Sequence, residues 1–219
     1  MKVAIYGTFS KGSSKANAIN TIKTALGFQN AGCQVTIFCF GRRSWEWGMQ
    51  NDYGITDSTS IQWVLVSPIF RLFFPSYWLW IIAHRSLKSL NPDIVYARDY
   101  VIPLFSSNQG YASIVETHAF VNSTNRSFLR LMKKFSTKPQ LRTLVTISPQ
   151  LANYYEGLGV PKNKILVLPT GVDRSFFRPL DDYPSEQYVC DFSKTAIYAT
   201  NGPVVLYSGH LYGYKGIFT

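Results

Sequence analysis
The chain has 219 residues, of which 46% are hydrophobic and 16% charged. That balance excludes a disordered chain and suffices for a substantial core. A formal net charge of +10 favours anionic partners such as nucleotide phosphates, nucleic acid or an anionic membrane; the plainer alternative is a solvated basic surface.

Lys2 to Tyr6 is a short apolar run that predicts a buried strand, with a turn at Gly7. Ser13 to Ala31 follows with Ala16, Ile19, Ile22, Ala25 and Leu26 at helical spacing; Ser13 or Ser14 is the expected cap and Gly32 the stop. Gln34 to Phe40 predicts the next strand, which completes a β-α-β unit with a right-handed crossover. The alternation continues with strands at Ile61 to Val66, Asp93 to Ala97, Ser113 to Glu116, Thr143 to Ile147 and Lys164 to Leu168. Helices are expected at Tyr77 to Leu90, Tyr100 to Ser107, Ser127 to Phe135 and from Ser148 to Gly157. Such alternation predicts an α/β fold, a doubly wound parallel sheet over residues 1–170. Residues 171–202 lack periodicity and read as an inter-domain connection. Residues 203–219 read as the first strand and turn of a second, truncated α/β domain.

Ligands of doubly wound sheets sit at the carboxyl ends of the strands, so the loops there are the candidate sites. The first loop, from Gly7 through Gly12 to Ser13 and Ser14, approximates a P-loop, but serine stands at the lysine position. Nor does it match G-x-G-x-x-G. Arg98 ends the strand DIVYA, where it suits a phosphate or carboxylate, or else a local contact with Asp99 or a helix cap. Glu116 and His118 end the strand SIV, and a histidine there can donate a hydrogen bond or move a proton. Cys33, Cys39 and Cys190 form no Cys-x-x-Cys pair or spaced cluster with histidine, so no metal is expected and a reducing compartment is.

Residues 146–179 read TISPQLANYYEGLGVPKNKILVLPTGVDRSFFRP. Ser148, Leu151, Gly159-Val160, Lys164-Ile165, Pro169, Gly171-Val172-Asp173, Phe177 and Pro179 resemble the signature of glycosyltransferase family four. YSGHLYGYKG, from Tyr207, resembles the opening of that family's second domain. Thr170 replaces the usual asparagine, and His210 stands where arginine is usual. The resemblance implies two Rossmann-like domains facing across a cleft, a nucleotide-sugar donor, transfer with retention and no metal or other cofactor. It implies donor-diphosphate contacts at Gly12, Ser13, His210 and Lys215, a catalytic role for His118 near the transferred sugar, and a glycan or lipid-linked acceptor, as in polysaccharide biosynthesis. Arg98 and Glu116 are the candidate acceptor or anion ligands. The family's Glu-x(seven)-Glu motif does not occur before Thr219, so the expectation is an inactive fragment, acting in the cytoplasm or at the inner face of the membrane, without nucleic acid.

Two other functions fit the residues: a non-catalytic acceptor- or membrane-binding module, and another Rossmann-like nucleotide-binding enzyme. The stretch Ile69 to Leu90 bears on the former. Interrupted by Arg71 and Pro75, it is too short to span a bilayer. Its aromatic residues beside Arg71, Arg85 and Lys88 suit a peripheral membrane contact; the alternative is a helix buried against the sheet with Trp78 and Trp80 packed inward.

Overall fold
A computed structural model describes residues 1–13, 15–41, 61–72, 74–121 and 126–171. The chain divides between Thr170 and Gly171 into two units, and the description concerns the first. The expected strand at Val204 to Ser208, and His210 and Lys215 with it, lie outside the described residues.

Among the described residues seven strands are present: β1 (Lys2–Ser10), β2 (Gln34–Phe40), β3 (Gln62–Val66), β4 (Ile94–Ala97), β5 (Ser113–Thr117), β6 (Leu141–Thr146) and β7 (Ile165–Val167). Among the described residues five α-helices lie between them: α1 (Ala16–Asn30), α2 (Pro75–Leu90), α3 (Val101–Asn108), α4 (Arg126–Thr137) and α5 (Pro149–Gly157). The strands form one sheet in the order β3-β2-β1-β4-β5-β6-β7, and every pairing is parallel. Parallel strands joined by helices must all end on the same edge. The connections run outward in both directions from β1 and β4, so the strand order reverses between those two. A crevice opens at their carboxyl ends.

The central strands are apolar on both faces because helices cover both. Val3, Ile5, Val35, Ile37 and Cys39 pack under Ala18, Ile22 and Ala25 of α1. Ala4, Tyr6, Phe38 and Phe40 pack on the other side against Leu79, Trp80, Ala83 and Leu87 of α2. A third cluster, with Val115, Leu141 and Leu144, buries Leu131, Met132 and Phe135 of α4 and Leu151 and Tyr155 of α5. Gly32 ends α1 at φ +80°. Its amide donates to Gln29 O at 2.9 Å and that of Cys33 to Phe28 O at 3.0 Å, a turn that favours glycine.

Three local expectations are corrected. The first strand does not turn at Gly7 but continues to Ser10, with an irregularity in its pairing between Tyr6 and Ser10. Buried Phe9 is the reason: it adds one more apolar anchor past the expected end, and its ring lies where a Gly7 side chain would stand. Helix α1 begins at Ala16 with Lys15 in the cap position and no side-chain cap; Ser13 Oγ instead accepts the Lys15 amide at 3.4 Å, one turn too early. Ser14 is outside the described residues. Helix α2 begins at Pro75, two residues before the expected Tyr77, because a proline in the first turn has no N–H that the helix needs.

Gly7→Ala is therefore expected to destabilise the fold by about 1–3 kcal/mol through overpacking against Phe9. The measurement is urea unfolding, with a lower midpoint and an unchanged slope. An unchanged midpoint would show that the bulge adjusts freely.

Candidate active site
Strand periodicity sets the site. Side chains two apart share a sheet face, so Tyr96 and Arg98 extend from β4 on the face that α1 covers. Glu116 and His118 extend from neighbouring β5 on the same face, in line with Ile114, which packs against the α1 cluster. The register pairs Tyr96 with Ile114 and Ala97 with Val115, which brings Arg98 beside Glu116 just past the paired segment.

Glu116 is the hub of this group. Its carboxylate accepts from the Tyr96 hydroxyl and from His118 Nε2, and Arg98 Nε lies 3.5 Å from Oε1. Arg98 Nη2 lies 2.9 Å from His118 Nδ1 and 2.8 Å from Nε2. A carboxylate only accepts and a guanidinium only donates. Satisfying Glu116 puts the imidazole proton on Nε2, facing the carboxylate, so Arg98 can donate only at Nδ1 and its approach to Nε2 is not a hydrogen bond in that tautomer. Arg98 Nη1 reaches the carbonyl of Asn17, in the first turn of α1, at 3.5 Å. That contact joins the cluster to the helix that follows the Gly12 loop.

Side-chain exposure falls from 28% at His118 through 17% at Arg98 to 12% at Glu116. The histidine is thus the member that faces solvent. Burial would raise the Glu116 pKa, but the hydrogen bonds from His118 and Tyr96 and the nearby Arg98 charge outweigh it and hold the carboxyl below its usual range. Burial, then the Glu116 charge, pushes the Tyr96 hydroxyl pKa up, so Tyr96 stays a donor.

Arg98 makes no local pair with Asp99. Asp99 instead accepts the amides of Val101 and Ile102 at 2.8 and 3.0 Å and so caps α3. Burial raises its pKa, opposed by those amides and by a hydrogen bond with Ser76 of α2. The backbone after His118 is held from α5. Tyr155 donates to Ala119 O at 2.8 Å and lies 2.8 Å from Thr117 Oγ1; Tyr154 donates to Val121 O at 2.6 Å.

Gly12 and Ser13 lie at the carboxyl end of β1, on the same edge as Arg98, Glu116 and His118. Gly12 takes φ +83°, and the Ser13 amide closes the turn on Ser10 O at 3.0 Å. Helix α1 carries no acidic residue in its first turn. Tyr96, Tyr154, Tyr155 and Asn17 escape the motif reading. The signal for Tyr96 was available: it precedes Arg98 by two, as Glu116 precedes His118. The tyrosines of α5 and the Asn17 carbonyl act across long sequence separations and leave no local pattern. Among the described residues no group of His, Cys, Asp or Glu could hold a metal ion.

The sheet order and the crevice above it define a doubly wound, Rossmann-like domain. The chain belongs to glycosyltransferase family 4, whose model matches residues 21–176. Similar folds include a glycosyltransferase from Rickettsia africae, 16% identical with a TM-score of 0.56 over 92% of this chain and 51% of that one. HepE from Anabaena, in complex with UDP and glucose, is 14% identical, with a TM-score of 0.55 over 91% of this chain and 50% of that one. The apo lipopolysaccharide outer core galactosyltransferase WaaB is 16% identical, with a TM-score of 0.50 over 84% of this chain and 50% of that one. This chain therefore spans about half the length of these structures. A comparison with curated proteins finds no match.

The lowered Glu116 pKa carries a pH signature. A carboxyl held below its ordinary value of 4.5 adds stability that is fully present above that value and is lost as pH falls through the folded-state value. Glu116→Gln is expected to cost about 2 kcal/mol at neutral pH. The gap from the parent chain should narrow as pH drops below the ordinary glutamate range. Denaturant titrations at several pH values check this; a gap independent of pH would contradict it.

Proposed function
We propose that this chain forms the acceptor-side domain of a retaining glycosyltransferase that moves a sugar from a nucleotide-sugar to a glycan or lipid-linked acceptor. The observation that carries the reading is the Glu116–His118–Arg98 cluster, at the switch-point crevice of a family 4 chain. The complex of HepE with UDP and glucose supports a nucleotide-sugar as the donor class.

When the sugar leaves the nucleoside diphosphate, positive charge grows at the anomeric carbon and negative charge on the β-phosphate. Fixed donors aimed at that charge lower the barrier. The amino end of α1, without a first-turn carboxylate, is the proposed diphosphate contact. Gly12 and Ser13 bring the backbone there; His210 and Lys215 are separately proposed as diphosphate ligands. His118 is the proposed catalytic residue beside the sugar. A substrate hydroxyl that replaces Arg98 at Nδ1 would meet a hydrogen-bond acceptor whose opposite nitrogen is held by Glu116. That carboxylate fixes the orientation of the ring, as a carboxylate does in hydrolase triads. Arg98, released toward the crevice, would then be a ligand for an anionic donor or acceptor group.

His118→Ala is expected to lower kcat about 10²–10⁴-fold in a transfer assay of the natural protein with labelled nucleotide-sugars. Glu116→Gln should lower kcat less and leave donor KM nearly unchanged, since it acts through His118. Product anomeric configuration, read by NMR, tests retention. Full activity without the His118 imidazole would overturn its assigned role.

A further inference from the structure
Helix α2 answers the question its sequence poses in two parts. Trp80 packs inward, 6.2 Å from the Tyr6 ring and 6.1 Å from the Phe105 ring, and Leu79, Ala83 and Leu87 are buried with it. The opposite side is apolar and open. Ile69 is 67% exposed, Leu72 74% and Phe74 78%, and Tyr77, Ile81 and Ile82 are exposed beside them. Six large apolar side chains open within fourteen residues make a patch rather than scattered surface residues.

The charge next to the patch has one sign. Arg85 and Lys88 are exposed. They continue the stripe of Phe74, Trp78 and Ile81 along the helix at spacings of three and four. No Asp or Glu occurs from Ile61 to Pro92. Among the described residues of the whole first unit the carboxylates are Asp93, Asp99, Glu116 and Glu156. Glu116 is spent in the site and Asp99 on capping α3. A second folded protein would be expected to bring carboxylates of its own or an apolar face without charge. An anionic bilayer meets the apolar part with its acyl boundary and the cationic part with its headgroups. No described helix is long and apolar enough to cross a membrane, so the contact would be made in the plane of the interface.

The position of the patch matters as much as its chemistry. A crossover helix starts at the carboxyl edge of the sheet, so the apolar half of α2 lies at that edge and the basic half runs away from it. Ser76, in the first turn of α2, hydrogen-bonds Asp99, the neighbour of Arg98. The patch therefore borders the crevice. We propose that the outward face of α2, with the Pro68–Arg71 turn before it, docks the protein on an anionic lipid surface and sets the crevice against that surface. The docking does not rest on the glycosyltransferase reading; only the use of a membrane-borne acceptor does.

The test is co-sedimentation of the chain with phosphatidylcholine vesicles, with and without phosphatidylglycerol, at low and high salt. The expected result is binding to the anionic vesicles, weakened by salt through screening. Arg85→Glu combined with Lys88→Glu should reduce it by about tenfold or more, as should Leu72→Ser combined with Ile81→Ser. These side chains are exposed, so thermal melts should match the parent chain and separate lost binding from lost folding. None belongs to the Arg98–Glu116–His118 cluster, so in the natural protein transfer to a water-soluble acceptor should be unchanged. Equal binding to neutral and anionic vesicles would overturn the proposal, as would binding that survives both pairs of substitutions. So would a concentration-dependent dimer dispersed by Leu72→Ser and Ile81→Ser, which would assign the patch to a second copy of the chain.

Discussion
The placement of β1 between β2 and β4 is the constraint on which the described structure depends. A parallel strand must be followed by a crossover, and because crossovers are right-handed, reversing the direction of strand addition moves the connecting helix to the other face of the sheet, as α1 and α2 show. The first crossovers build β2 and β3 on one flank, and the return through α2 starts β4 on the other. The two flanks leave their loops on a common edge with a gap between them. Four features follow without further specification: the loop around Gly12, the bend at Arg98, the ETH segment and the start of α2 all meet at that edge.

Within the gap, chemistry is organised by one carboxylate. Glu116 is mostly buried, where an unpaired charge would be costly. Three donors surround it, and each has its own anchor: Tyr96 in the core, Arg98 on the first turn of α1, and His118 on a loop held by α5. Removing the carboxylate would leave a guanidinium and a phenol facing each other with no acceptor between them. The same arrangement favours the imidazole proton on Nε2, toward the carboxylate, and leaves Nδ1 as the acceptor.

Much of this was legible in the sequence because parallel strands are read by burial. IYG, IFCF and IVYA are apolar throughout, and the helices between them carry the complementary stripe, so element order and sheet class follow from pattern alone. The ends were less legible. Phe9 extends β1 beyond a glycine that reads as a turn, so packing decides a boundary that local propensity leaves open. At the site, the residue types at strand ends named Arg98, Glu116 and His118, but not their mutual contacts. Those depend on a register between β4 and β5 that no local signal encodes. The two tryptophans of α2 could not be assigned by hydrophobicity, since Trp78 and Trp80 differ only in which side of the helix they leave.

The pair Tyr154 and Tyr155 has a mechanical consequence. Adjacent helical residues point about 100° apart, yet both hydroxyls reach the same short stretch of backbone, one at Ala119 and the other at Val121. The stretch is thereby clamped at two points to a single rigid rod. A rotation of that rod would pull one clamp and push the other, twisting the peptide planes between them. The orientation of the segment beside His118 is thus geared to α5. A change in how α5 seats on β6 would therefore shift the backbone beside His118 with Arg98, Glu116 and His118 themselves left intact.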